Sequence, residues 1–179
     1  MHPQVIIKFW FEEIDRKLWF SKNDEFDKIL ADTFFPIYIA AKSNELYEWR
    51  ETIEGRLAEI ILLDQFSRNF FRNSSQSFAT DPLSLCLAQE AVSQKLDLKL
   101  SIKQRAFLYM PYMHSESMLI HQQAIKLFSI DGLEDNLRFE IHHKKIIELF
   151  GRYPHRNKLL GRESTPEEIK FLTQPGSSF

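Results

Sequence analysis

An all-α domain is what three features of the sequence predict. Apolar residues recur at steps of three and four, the period of a helix. Glycine is confined to five positions, and no Asn-Gly or Asp-Gly pair sits between alternating apolar runs, so hairpin signals are weak. No stretch rich in Gly, Ser or Pro divides the chain, so its 179 residues read as one domain, 1–179. Short turns between successive helices imply antiparallel helix pairs. Such pairs can stack as a solenoid, although the residue pattern shows no clear 34-residue repeat.

The first segment carries two aromatic clusters, Phe9-Trp10-Phe11 and Trp19-Phe20. A helix is then expected from about Asp24 to Lys42, capped by Ser21 or Asn23 and kinked by Pro36. Its apolar stripe is Phe26, Ile29, Leu30, Thr33, Phe34 and Ile37. A second helix, from near Thr52 to about Phe71, is apolar on several sides and is therefore expected at the centre. Asp81-Pro82 opens a third, with Asp81 as cap and Pro82 at the first helical position. Ser101 caps a fourth, which runs towards Pro111. A fifth is expected from about Ser115 to Ser129. A sixth runs from about Leu133 to Phe150 and stops at Gly151. After a polar loop, Thr165-Pro166-Glu167-Glu168 reads as the capping box of a last helix.

Composition excludes several classes. Lys and Arg number 23 against 25 Asp and Glu, which argues against a dedicated nucleic-acid partner. No apolar run approaches the roughly 18 residues of a membrane span, and the N-terminus lacks a secretory pattern, so a soluble, cytoplasmic protein is expected. The lone Cys86 excludes an intrachain disulfide and a cysteine-based zinc site, and its apolar helix suggests a core position. No GxGxxG, P-loop, GxSxG or HExxH pattern is present, and no metal or other cofactor is expected.

Three polar segments break the apolar pattern. Asp64 continues the stripe of Leu57, Ile60 and Ile61, and Arg68 follows one turn later. The pair is either an internal ion pair or an Arg held in place for an anion. Arg105 and Tyr109 share a face of the next polar segment. Beyond Pro111, His114 and Glu116 form a potential acid/base pair, unless Ser115 and Glu116 serve only as helix caps. The third segment, Arg152 to Arg162, places Arg152, His155, Arg156 and Asn157 in a loop stiffened by Pro154. Guanidinium forks there suit a phosphate or carboxylate, or else they tie the loop down. His143 on the preceding helix lies on an apolar stripe, where a satisfied core histidine is the common case.

The stretches LLDQFSRNFFR, LYMPYMHSE and FGRYPHRNKLLGRESTPEEIKFL resemble the bacterial family called domain of unknown function 924, and the likeness extends over nearly the whole chain. The resemblance implies helix hairpins in a tetratricopeptide-repeat-like α-α superhelix or bundle, and it supplies no activity. The family pattern implies DQFPRN where this chain has Ser67, Gly where it has Asn73, and Gln where it has His121. Two functions are expected to compete. In one, Asp64, Arg68, Arg105, Tyr109, His143, Arg152, Arg156 and Asn157 hold a small anionic ligand. His114, Glu116 and His155 then move protons in a metal-free hydrolase or transferase. In the other, stacked hairpins form a scaffold for a protein or peptide partner.

Overall fold

The structure is a computed structural model that describes residues 1–178. Its chain folds into eight helices and several short 3-10 turns, with no strand among the described residues. Helix α1 (Pro3–Lys8) was not legible in the aromatic N-terminal segment; Pro3 opens it, and a π-helical turn, Phe9–Glu13, extends it. Helix α2 (Asp24–Lys42) is capped by Asn23, whose side chain accepts from the Phe26 amide at 2.9 Å. It runs unbroken past Pro36.

Helix α3 occupies the centre. It begins as Ile53–Ile60, widens to a π-helix over Ile61–Phe66 and ends in a last turn, Ser67–Phe70. Every residue from Gly55 to Ser67 is buried. The Thr52 side chain accepts from the Gly55 amide at 3.1 Å and fixes its start. Around it pack α1, the π-turn of Phe9–Glu13 and α2, in one aromatic cluster. The Phe66 ring lies 5.3 Å from those of Trp10 and Phe34, and Phe107 meets Trp10 edge-on at 5.7 Å.

Helices α4 (Asp81–Ser93), α5 (Ile102–Met113), α6 (Met118–Phe128) and α7 (Glu134–Phe150) follow, each packed on the one before. Helix α8 (Pro166–Leu172) closes the chain with its capping box intact: the Glu168 amide meets Thr165 Oγ1 at 3.2 Å, and the Thr165 amide meets Glu168 Oε2 at 2.8 Å. No helix among the described residues is long and apolar enough to cross a membrane.

Four local expectations need correction. Thr80, not Asp81, precedes α4, and Asp81 is its first residue with its carboxylate turned elsewhere. Helix α6 starts three residues later than expected; Ser117 holds the cap position without a side-chain cap bond. Cys86 is exposed rather than in the core. The apolar stripe on α7 is incomplete, because Phe139 is exposed while His143 is buried. Asn73 stands at φ 60°, the left-handed conformation that glycine adopts freely and that asparagine tolerates, so the turn after α3 survives the residue change.

Gly55 offers a test of the central packing. A Cβ there would lie 1.9 Å from the Trp49 carbonyl oxygen, a backbone atom that cannot step aside cheaply. Helix propensity alone favours Gly55→Ala by up to about 1 kcal/mol. The clash should reverse the sign and leave the variant about 2 kcal/mol less stable in urea denaturation. A variant as stable as the parent would show that the close approach of Trp49 is not a constraint.

Candidate functional site

The π-helical stretch of α3 puts a carboxylate where a core residue belongs. Asp64 has no exposed surface. Its Oδ1 accepts from His114 Nδ1 at 2.7 Å, and its Oδ2 accepts from the Gln65 amide at 2.5 Å. The widened turn also leaves backbone carbonyls to side-chain donors. Thr80 Oγ1 donates to the Leu63 carbonyl at 2.6 Å, Ser67 Oγ lies 3.1 Å from the Asp64 carbonyl, and Arg68 Nη1 donates to that same carbonyl. Burial opposes the Asp64 charge, yet His114, Arg68 and the Gln65 amide outweigh it and hold the carboxyl well below its usual range.

His114 ends α5, at the mouth of the buried cluster, with 14% of its side chain exposed. Asp64 can only accept, so Nδ1 carries the proton of their bond and Nε2 keeps a lone pair. Burial, joined by Arg68, pushes the imidazole below its ordinary pKa against the pull of Asp64. The ring is therefore neutral and oriented, the condition of a general base.

Arg68 reaches back to Asp64 Oδ1 at 3.4 Å but spends its fork on Asp81, with Nη1–Oδ1 at 3.0 Å and Nη2–Oδ2 at 3.1 Å. Of the two expectations for this pair, the internal ion pair is the one present, with the Arg68 fork occupied by Asp81. From the loop after α7, Arg156 joins the same carboxylate, Nη1 to Asp81 Oδ2 at 3.3 Å. Its guanidinium lies against the rings of Phe78 (4.4 Å to the centroid) and Tyr153 (4.7 Å). Its Nε is buried with no hydrogen-bond partner among the described residues. Burial lowers its pKa from the ordinary value, opposed by Asp81.

Glu116, Asn157 and Arg152 fasten the loop. Glu116 does not pair with His114. Its Oε1 accepts from the Tyr153 amide at 2.8 Å and Arg162 Nη2 at 2.9 Å, and its Oε2 from Arg162 Nη1 at 2.6 Å. Burial opposes its charge, but Arg162 and the Tyr153 amide lower its pKa. Asn157 accepts from Arg162 Nε at 3.0 Å and donates to Glu168 Oε2 at 3.1 Å. Arg152 turns outward to grip Glu168 through Nε (2.7 Å) and Nη2 (2.8 Å). That bonding holds the Glu168 carboxyl at about 2.

Arg105 and Tyr109 stand apart from the cluster. They bind each other at 3.1 Å and share Asp97, which accepts from the Tyr109 hydroxyl at 2.5 Å. Arg105 lies nine residues before His114 along α5, roughly 13 Å at the helical rise. His143 donates from Nδ1 to the Phe139 carbonyl at 2.7 Å, and burial lowers its pKa to about 3. The His155 ring lies 5.7 Å from Tyr153, and burial, followed by Arg156, brings its pKa to about 4.

Several members of the site were not foreseen. The sequence marks Asp81 only as a helix cap, a role that explains an Asp before Pro without any partner. Gln65 carried no signal of its own. Tyr153 and Arg162 stood in the quoted loop but had no assigned task. Tyr153 OH donates to the Met113 carbonyl at 2.6 Å and touches His121 Nε2 at 3.1 Å. His121 in turn meets the Ser115 carbonyl at 2.8 Å and Glu140 Oε1 at 2.7 Å, and both members of the His121–Glu140 pair are fully buried. Among the described residues, no three His, Cys, Asp or Glu side chains form a metal-ligand group.

A family model described as "Bacterial protein of unknown function (DUF924)" matches residues 6–176. A solved structure of a protein of unknown function from Agrobacterium tumefaciens, ATU0120, is similar at 39% sequence identity. The match covers 95% of this chain and 96% of that one, with a TM-score of 0.90. The curated proteins give no match.

The buried imidazoles set a pH dependence. An unfolded histidine binds its proton near pH 6.5, whereas His155 and His143 do so at about 4 and 3 in the folded chain. Between these limits the unfolded state holds more protons, so stability is full above about pH 6.5 and falls as pH drops. The lowered Asp64, Glu116 and Glu168 extend the loss in the same direction below about pH 4.5. The unfolding free energy from urea denaturation should drop from pH 7.5 to pH 5, and the midpoint with it, with a slope of up to about 1.4 kcal/mol per pH unit for each histidine. A midpoint flat over that range would contradict the neutral buried state of these rings.

Proposed function

The chain belongs to the bacterial family of unknown function DUF924, and from that premise we propose that it binds a small metabolite bearing a carboxylate or phosphate. The anion would sit at Arg68 and Arg156, beside the Asp64–His114 pair. Arg156 is the observation that carries this reading. A guanidinium has five N–H donors and keeps its charge at any physiological pH. Taking one out of water is costly unless its donors are satisfied. Arg156 is 5% exposed, meets a shared carboxylate at 3.3 Å and buries an unpartnered Nε. The Phe78 and Tyr153 rings lie against the guanidinium, and an oxyanion would take its remaining N–H donors.

His114 supports chemistry as well as binding. Its Nδ1 proton is held by Asp64, so Nε2 can take a proton from water or a substrate hydroxyl and return it to a leaving group. Hydrolysis or group transfer is the reaction class this suits. His155 is the second candidate for proton movement. Glu116 contributes by anchoring Tyr153 through its backbone amide. Among the predicted ligand contacts, Arg105, Tyr109, Arg152, Asn157 and His143 hydrogen-bond to partners outside this cluster.

A scaffold reading draws on a different feature. Trp19, Phe20, Ile102, Phe107 and Met110 line an apolar cleft of about 130 Å³, with Phe20 70% exposed. In that reading α4 to α7 stack as tetratricopeptide-like hairpins around a peptide partner.

Thermal denaturation with inorganic phosphate, sulfate and simple mono- and dicarboxylates separates the two. A ligand at a hundred times its Kd adds about 2.7 kcal/mol to the native state. At least one of these anions should raise Tm, Arg68→Gln should abolish the rise, and His114→Gln should keep it. No rise with any anion in the parent and in Asp81→Asn alike, or a rise that survives Arg68→Gln, rules out this site.

A further inference from the structure

We infer that Asp81 is a resident stand-in for the ligand's anionic group, displaced when an incoming oxyanion takes its place between Arg68 and Arg156. This rests on the anion-site reading above. Asp81 is the first residue of α4, yet its carboxylate caps nothing. Thr80 holds the cap position, with its own hydroxyl spent on the Leu63 carbonyl. The Asp81 carboxylate instead receives the Arg68 fork at 3.0 and 3.1 Å and Arg156 Nη1 at 3.3 Å. Those are the donors a free carboxylate, or two oxygens of a phosphate, would take.

Charge balance favours exchange over addition. Arg68 and Arg156 face Asp64 and Asp81, and with His114 neutral the four formal charges cancel. An extra anion would leave a largely buried cluster with a net negative charge, which is costly in a medium of low polarity. Exchange for a singly charged oxyanion, a carboxylate or dihydrogen phosphate, keeps the count at zero, provided one carboxylate can reach water. Asp64 cannot, since its side chain has no exposure and is bound by His114 and Gln65. Asp81 sits at the rim with 13% of its side chain exposed, so rotation about its own side-chain bonds suffices. The site is therefore closed by its own carboxylate, and the ligand must out-compete it.

Calorimetric titration with inorganic phosphate at fixed ionic strength tests this on the full chain. Asparagine matches aspartate in size and is well tolerated at helix starts. Asp81→Asn should bind phosphate at least about tenfold more tightly than the parent. Asp81→Glu, which retains a competing carboxylate, should stay close to it. If the parent binds phosphate, Arg68→Gln abolishes that binding and Asp81→Asn fails to strengthen it, the exchange is wrong and the anion site stands. If neither the parent nor Asp81→Asn binds phosphate or any of the carboxylates above, both are wrong. Crystals of the parent grown in sulfate give a readout independent of any variant. A sulfate between the two guanidiniums with the Asp81 carboxylate turned out supports exchange, and an intact Arg68–Asp81 fork with sulfate elsewhere overturns it.

Discussion

A single buried carboxylate organises this molecule. Asp64 sits inside a helix whose every residue from Gly55 to Ser67 is buried. An uncompensated charge there would be untenable, so the chain must bring partners to it. His114 arrives from the end of α5, Gln65 turns onto the second oxygen, and Arg68 lies one turn along. Arg68 then needs an anion for its own fork and takes Asp81 from the start of α4. Asp81 in turn draws Arg156 from the loop after α7. Each link satisfies one charge and exposes the next, until the series ends at a guanidinium with a buried, unpartnered nitrogen.

The loop that delivers Arg156 is held by a second, separate set of contacts. Gly151 stops α7 in the left-handed conformation, at φ 67°. Glu116 then receives the Tyr153 amide and the Nη1 and Nη2 of Arg162, while Glu168 closes the α8 capping box and clamps Arg152 and Asn157. Beneath the loop, the Tyr153 hydroxyl reaches the Met113 carbonyl and the buried His121–Glu140 pair. Burial raises the Glu140 pKa and His121 opposes that rise. This scaffolding explains why so dense a run of cationic side chains folds into one rigid shape. It also explains why only some of them face the Asp64 cluster.

Kinship settles the architecture and is silent on chemistry. The solved relative from Agrobacterium tumefaciens shares the fold across nearly the whole chain and is itself of unknown function. The chemical argument therefore rests on the cluster. Its features are an oriented imidazole with a free Nε2 lone pair, two guanidiniums on one carboxylate, and aromatic rings that hold one guanidinium in place.

Local rules made much of the helical framework readable. The three- and four-residue periodicity, Asn23 and Ser101 as caps, Gly151 as a stop and the Thr165–Glu168 box act within one or two turns of the residues that encode them. A polar residue on an apolar stripe likewise marked Asp64 without any coordinates. What tertiary structure alone decided was pairing. His114 goes to Asp64 across fifty positions rather than to its neighbour Glu116, and Arg156 goes to Asp81 across seventy-five. The energy of a charge pair depends on distance and burial in space, and neither is a function of separation along the chain. The same reason hid the roles of Asp81 and Tyr153 and sent Arg105 and Arg152 to other partners: a side chain's type is written in the sequence, while the partner it meets is set by how the helices pack.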